Sequence, residues 1–215
     1  ILRHRNDILE LAKQGATSFH ASEELWKNPL QIDISMKKHE LDSLRLGWDL
    51  IIDIDCGMFE YSKIAADLII KALKFHDMNS ISCKFSGNKG FHIGVPFEAF
   101  PEKIRNEDTK KLFPDAPRKI ALYLREMIKK PLGENIMEFE NNDFSAIIRK
   151  SGKTPSEITY YDNAAKKLNP EPFLNIDTLL ISSRHLYRMP YSLHEKSGLV
   201  STPLNPDKVS LFRKE

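Results

Sequence analysis

The sequence predicts a fold that mixes strands and helices around one strand–helix–strand unit, and three observations predict it. The apolar run Leu50-Ile51-Ile52 passes straight into Asp53-Ile54-Asp55, which reads as a strand whose end carries two carboxylates. From Glu60 to Phe75, the residues Ile64, Leu68, Ala72 and Phe75 recur at helical spacing. Asn79-Ser80 breaks that pattern. Ile81 to Phe85 then reads as a second strand, which feeds the turn Ser86-Gly87-Asn88-Lys89-Gly90 and a further strand from Phe91 to Val95.

The remaining elements follow in chain order. Asn6 to Gln14 reads as a short helix with Ile8, Leu9 and Ala12 on one side. Thr17 to Pro29 mixes aromatics, histidine and small polar groups, and reads as a shaped loop. The charged stretch Lys37 to Arg45 reads as a solvated helix face, with nucleic-acid contact as the lesser alternative. After Val95, Pro96 to Pro101 leaves the sheet, and Glu102 to Lys111 reads as a polar surface excursion. Arg118 to Lys130 reads as an amphipathic helix with Ile120, Leu124, Met127 and Ile128 inward, stopped by Pro131-Leu132-Gly133. Gly133 to Lys153 reads as a lid or insertion. Thr154-Pro155-Ser156-Glu157 is a capping box with proline at the first helical position, so a helix starts there. Ile176 to Ile181 and Leu199 to Leu204 read as strands. Trp48, Tyr187 and Tyr191 read as core or sheet-facing residues rather than stacking platforms.

A chain of 215 residues favours one sizeable domain or a two-lobed core. Charged residues make up 29% and hydrophobic ones 41%, as in ordinary soluble globular proteins. With 32 basic and 30 acidic residues the net charge is +2, so any basic surface has to be local. No apolar run approaches the ~20 residues that a membrane helix needs, and no signal peptide is expected. Cys56 and Cys83 do not resemble a disulfide framework and suit a reducing compartment. They cannot supply the usual structural zinc set, so no zinc is expected.

Successive strand side chains alternate faces, so Asp53 and Asp55 point the same way. Like charges on one face repel and lose hydration, an arrangement that cations stabilise. The alternative is a strand end whose two aspartates simply face water. Gly87 and Gly90 permit a tight turn with exposed amides that can hold an anion, and Lys89, Ser86 and His92 add charge and donors at its rim. The alternatives there are an ordinary hairpin and a hydrogen-bonded core histidine.

At these residues the sequence resembles the archaeo-eukaryotic primase family, specifically its small catalytic subunit. That family places an Asp-x-Asp pair at the end of one strand and a Ser-Gly-x-x-Gly-x-His turn before the next. Asp53, Asp55, Ser86, Lys89 and His92 stand at matching positions, with Lys89 where arginine is common. Downstream, Asp177 to Gly198 resembles the family's carboxylate strand and its following His-Leu-x-basic-x-Pro-x-Ser-x-His-x-Lys segment. Asp177 stands one residue closer to His185 than in that pattern. Many family members carry a zinc module, and this chain departs from them there.

The resemblance implies an α+β fold: a primase catalytic core in which an RRM-like antiparallel or mixed sheet packs on a second small α/β lobe. Residues 1–215 would form one two-lobed core. Its parts would be an N-terminal part at 1–47, the motif-bearing unit at 48–95, a helical or inserted region at 96–170, and the third-carboxylate strand with the triphosphate-binding segment at 171–215.

The implied activity is that of a DNA primase catalytic subunit, a nucleotidyltransferase making short RNA or DNA primers from nucleoside triphosphates on single-stranded DNA. In-line attack on the α-phosphorus leaves charge on the attacking and departing oxygens, which two divalent metals neutralise. Hard Mg2+ or Mn2+ ions prefer oxygen ligands, so Asp53 and Asp55 would bridge the metals and Asp177 would complete the site. Ser86, Lys89 and His92 would hold the triphosphate from one side, and Arg188 and His194 from the other. Arg184, His185 and Lys196 are further candidates. Arg188 could instead be a plain solvent-facing strand cation, and His185 could be purely structural. The implied partners are the template, the triphosphates and a primase large subunit, with no membrane. The implied location is cytoplasmic, at the nucleoid with the replication machinery. Alternatives are a primase-polymerase in repair or translesion synthesis, a non-catalytic nucleic-acid-binding subunit, and a metal-dependent phosphatase or nuclease. Intact Asp53, Asp55 and His92 argue against the non-catalytic subunit. The set Lys89, Arg188 and His194 argues against the phosphatase or nuclease.

Overall fold

The computed structural model describes residues 2, 4–176 and 181–214. Helix α1 (Arg5–Lys13) leads into two short strands, β1 (His20–Ser22) and β2 (Glu24–Trp26). Helix α2 (Lys38–Leu44) and strand β3 (Arg45–Trp48) follow. Then come β4 (Leu50–Cys56), α3 (Phe59–Phe75), β5 (Ser82–Phe85) and β6 (Phe91–Val95). The small hairpin β7 (Lys103–Ile104) and β8 (Glu107–Asp108) precedes the long helix α4 (Asp115–Phe139). Helices α5 (Phe144–Ser151) and α6 (Pro155–Ile158) lead to a hairpin of β9 (Thr159–Asp162) and β10 (Ala165–Leu168). Strands β11 (Leu174–Ile176), β12 (Leu186–Arg188) and β13 (Pro203–Leu204) complete the order, before a 3-10 turn at Pro206–Leu211. Helices interleave with strands along the chain, and every described strand pairing is antiparallel, which makes the fold α+β.

The main sheet has five strands in the order β11-β4-β6-β5-β13, and every described pairing in it is antiparallel rather than mixed. Strand alternation explains its two faces. Leu50, Ile52, Ile54 and Cys56 of β4 are buried, in register with Phe91, Ile93 and Val95 of β6 and with Cys83 and Phe85 of β5. That face packs on α3, whose Tyr61, Ala65, Ala66, Ile69, Ile70 and Leu73 are buried at helical spacing. Each fully buried isoleucine contributes roughly 1.5–3 kcal/mol of hydrophobic stabilisation. The opposite face carries Ile51, Asp53 and Asp55, which are partly or fully exposed. The two-stranded ribbon of β1 and β12 covers part of this second face, with Tyr187 of β12 turned towards His92.

Several expectations need correction. The stretch from Thr17 to Pro29 is not all loop, because β1 pairs with β12 and β2 with β3 across long sequence separations. Arg45 does not belong to a solvated face. It is fully buried, bonding Glu24 through its Nη2 at 2.7 Å and its Nε at 2.9 Å, and bonding Asp42 through Nη1. Helix α4 does not stop at Pro131. It continues to Phe139 because Leu132, Gly133 and Ile136 extend the buried stripe of Ala121, Leu124 and Ile128, and packing outweighs the hydrogen bond that proline removes. The expected lid at Gly133 to Lys153 is therefore the end of α4 plus α5. The capping box holds, with the Thr154 amide donating to Glu157 Oε2 at 2.7 Å. The strand expected from Ile176 is described as Leu174–Ile176, and Asp177 to Leu180 lie outside the described residues. The strand expected at Leu199 to Leu204 shrinks to Pro203–Leu204, with an isolated bridge between Leu193 and Val200. Trp48 is core, but Tyr191 is exposed. Among the described residues no helix is long and apolar enough to cross a membrane.

Candidate active site

Three parallel rows of side chains cross the open face of the main sheet. In the central row, Asp53 of β4 lies opposite His92 of β6, which lies opposite Lys84 of β5. The row towards the strand end pairs Asp55 with Asn175 of β11. The row on the other side joins Ile51, Gly94 and Ser82. The two aspartates therefore share one face, as their spacing requires, and their carboxylates offer the hard oxygen donors that suit Mg2+ or Mn2+. Strand β11 runs beside them, with Ile176 in register with Ile54. Asp177 itself lies outside the described residues. Among the described residues no group of three or more His, Cys, Asp or Glu side chains is placed to hold a metal ion.

The glycine turn owes its shape to two close approaches. A Cβ at Gly90 would stand 2.0 Å from the Ile54 carbonyl oxygen, so only glycine lets the turn lie against β4 beside the aspartates. Gly87 adopts a φ of 95°, and a Cβ there would meet His194 Cβ at 2.9 Å. The Ser86 hydroxyl oxygen accepts from the amides of Gly90 and Asn88 at 3.3 and 3.4 Å, which leaves its own O–H to donate. Lys89 is exposed at the tip. Behind it, Lys214 donates to the Asn88 carbonyl at 2.7 Å and sits over the Phe59 ring.

The downstream segment closes on this turn. Ser197 donates its hydroxyl proton to the Gly87 carbonyl, and Arg188 Nη1 reaches the Ser86 carbonyl at 3.5 Å. Arg188 is no plain solvent-facing cation. Its side chain is 12% exposed and pairs with Glu195, while its buried Nε has no hydrogen-bond partner. His194 is half-buried against Gly87. Burial, and then Arg188, push its pKa down from the usual imidazole value. Lys196 is exposed in the following turn, where its amide donates to His194 Nδ1.

Two further candidates take different places. His185 lines a small cavity of about 20 Å³ with Glu23, Asp53, His92 and Tyr187. Arg184 points elsewhere. Its guanidinium donates to the carbonyls of Asp33 and Ile34 at 3.0 and 2.8 Å, which ties down the N-terminal region rather than facing the glycine turn. The structure thus brings together Asp53, Asp55, Ser86, His92, Arg188 and His194, with Lys89 and Lys196 at the rim and His185 on the inner side.

The sequence reading missed Lys84 and Glu23. Lys84 is buried, with its Nζ 2.7 Å from His92 Nδ1 and 5.7 Å from the centre of the Tyr187 ring. Burial pushes its pKa down to about 8, against the opposing pull of Asp53. His92 is pushed down to about 3 by burial and then by Lys84 and Arg188, so it is neutral at physiological pH. His92 Nε2 faces Asp53 Oδ1 at 3.5 Å. Glu23 is buried with its Oε1 unpaired, and burial beside Glu24 lifts its pKa to about 8. Lys84 was readable from the hairpin register, because a turn centred on Gly87 to Lys89 pairs residue 84 with residue 92. Glu23 had no comparable signal.

An uncharacterised protein of Methanocaldococcus jannaschii is 29% identical over 150 residues, covering 62% of this chain and 33% of that protein. The chain thus spans about a third of the length of that relative. The family model of the DNA primase small subunit matches residues 53–206, a stretch that opens on Asp53 and takes in the glycine turn, Arg188 and His194. That match covers well over half of the sequence, and the chain therefore belongs to the DNA primase small subunit family.

Proposed function

We propose that this chain is a catalytic primase core, which joins nucleotides from nucleoside triphosphates on a single-stranded DNA template. The observation that carries the reading is the convergence of Asp53, Asp55 and His92 on one sheet face with Arg188 and His194 across the glycine turn. Carboxylates alone would equally suit a nuclease. A carboxylate pair beside a cluster of phosphate-binding donors suits an enzyme that grips a triphosphate.

In this reading Asp53 and Asp55, completed by Asp177, would hold Mg2+ or Mn2+. Such ions, when bound, stabilise charge at the reacting phosphate and on the departing pyrophosphate. The chain's own residues do the rest. Ser86 O–H and His92 Nε2–H donate to phosphate oxygens, while Arg188 and Lys89 supply positive charge. His194, held against Gly87, limits where the phosphates can lie. Arg188 already contacts the turn, so little side-chain freedom is lost when the nucleotide arrives, and orientation comes at low entropic cost. The template would be held chiefly through its phosphates, so its binding by the chain alone should be weak and salt-sensitive. A primase large subunit would strengthen it. The test is incubation with single-stranded template, labelled triphosphates and Mg2+ or Mn2+, resolved on a denaturing gel. Template-dependent short products support the reading, and their absence with both metals and a large subunit present refutes it.

A further inference from the structure

Lys84 is an expensive residue to place where it lies. A buried ammonium loses its hydration, and an apolar side chain of the same size would usually be as stable there or more so. Its surroundings show what the charge does. On one side, Ser201 Oγ lies 3.3 Å from Nζ, and that hydroxyl spends its own proton on the Phe85 carbonyl at 2.9 Å. Ser201 can therefore only accept from Lys84. On the other side, His92 Nδ1 lies 2.7 Å away. An ammonium has three donors and no acceptor, so Nδ1 has to offer a lone pair. The single imidazole proton is then on Nε2, the nitrogen that faces Asp53 across 3.5 Å, longer than an ordinary N–H···O bond.

We propose that Lys84 is a positioning residue, which fixes His92 as its Nε2–H tautomer and so presents a donor to a phosphate oxygen of the incoming nucleotide. The last clause rests on the reading of the site as a triphosphate site; the tautomer does not. The opposite tautomer would aim a lone pair at the phosphate and turn an attraction into a repulsion. Tyr187 supports the arrangement, with its ring edge-on to His92 at 6.3 Å and its face near the Lys84 ammonium. With its pKa lowered only to about 8, Lys84 is still mainly an ammonium at neutral pH.

The experiment is 15N-histidine NMR on the full chain, with His92 assigned from a His92→Gln spectrum, together with affinity for a non-hydrolysable triphosphate. The unmodified protein should show the Nε2–H pattern for His92. Lys84→Met should convert it to a mixed or Nδ1–H pattern and weaken triphosphate binding about ten- to a hundredfold, the loss of one charge-assisted hydrogen bond. Lys84→Arg, which remains a donor without an acceptor, should restore the Nε2–H pattern and also serves if Lys84→Met fails to fold. An unchanged His92 pattern in Lys84→Met, or an Nδ1–H pattern in the unmodified protein, overturns the proposal. A changed tautomer with unchanged triphosphate affinity overturns its nucleotide clause. Failure of the unmodified chain to bind any triphosphate would refute the functional reading instead, while the tautomer result still decides the role of Lys84.

Discussion

Gly90 is the point where the glycine turn touches the carboxylate strand, and Gly90→Ala tests whether that contact sets the site. The added Cβ would lie 2.0 Å from the Ile54 carbonyl oxygen, 3.0 Å from the Ile54 carbonyl carbon and 3.3 Å from Asp55 Cα. Carbon–oxygen contacts are comfortable at about 3.3–3.6 Å, so the turn or the strand has to retreat by roughly 1.3 Å. All three neighbours are backbone atoms of β4, which cannot swing aside as a side chain can. Overpacking that moves backbone costs about 1–3 kcal/mol. For a chain of this size that lowers Tm by about 2–12 °C. The functional effect should be larger than the loss of stability suggests. The Ser86 hydroxyl accepts from the Gly90 amide, so moving the turn moves a phosphate donor relative to Asp53 and Asp55. A displacement near 1 Å at a reacting centre can cost about 100-fold in rate. The assays are a thermal melt and nucleotide incorporation at a temperature where the variant is fully folded. Gly90→Ala with an unchanged Tm and full incorporation would refute the reasoning.

The other predictions concern charges. Arg188→Ala should raise the KM for triphosphate by about ten- to a hundredfold and also lower kcat, because a charge-assisted bond to phosphate is worth about 1.5–3 kcal/mol. Kinetics matching the unmodified chain would remove Arg188 from the site. Asp177→Ala should abolish incorporation with the melt unaltered; full activity would move the third ligand elsewhere, with Asp162 and Asp143 the next to change. Glu23→Gln should alter the pH dependence of stability. Its folded-state pKa is raised to about 8 from 4.5 by burial and Glu24, with Asp49 adding to the rise and the Ser182 amide and Arg118 opposing it. The folded chain therefore keeps a proton that the unfolded chain sheds above pH 4.5, and stability falls as pH rises from about 4.5 to 8. Glutamine removes that loss, so the Tm advantage of Glu23→Gln should grow between pH 5 and pH 8. A difference in Tm that does not vary with pH contradicts the account.

The parts of this molecule that sequence exposes are those written in local periodicity. Strand β4 alternates apolar and acidic residues, α3 repeats its apolar face, and the Ser86 to Gly90 turn is spelled in its glycines. Each could be placed from its own residues. The short strands β1, β2 and β12 could not, because three residues carry too little pattern and their pairing comes from partners up to 168 positions away, as in His20 with Arg188. Pro131 misled for a related reason. A proline weighs against a helix locally, whereas Leu132 and Ile136 bury against the rest of the core and keep α4 running. In the site, alternation placed Asp53 and Asp55 on one face, but the second partner of His92 required the register of β5 against β6. Arg45 shows the limit of charge patterning, since its place in a charged stretch conceals its burial on Glu24.

The central claim is that the face carrying Asp53, Asp55 and His92 is where nucleotides are joined. The most direct measurement is incorporation at saturating triphosphate by the unmodified chain and by Asp53→Asn and Asp55→Asn, each matched by thermal melt and by affinity for the template. The account predicts products complementary to the template from the unmodified chain, and a loss of several orders of magnitude in turnover for either variant. Undiminished turnover in both variants would contradict it.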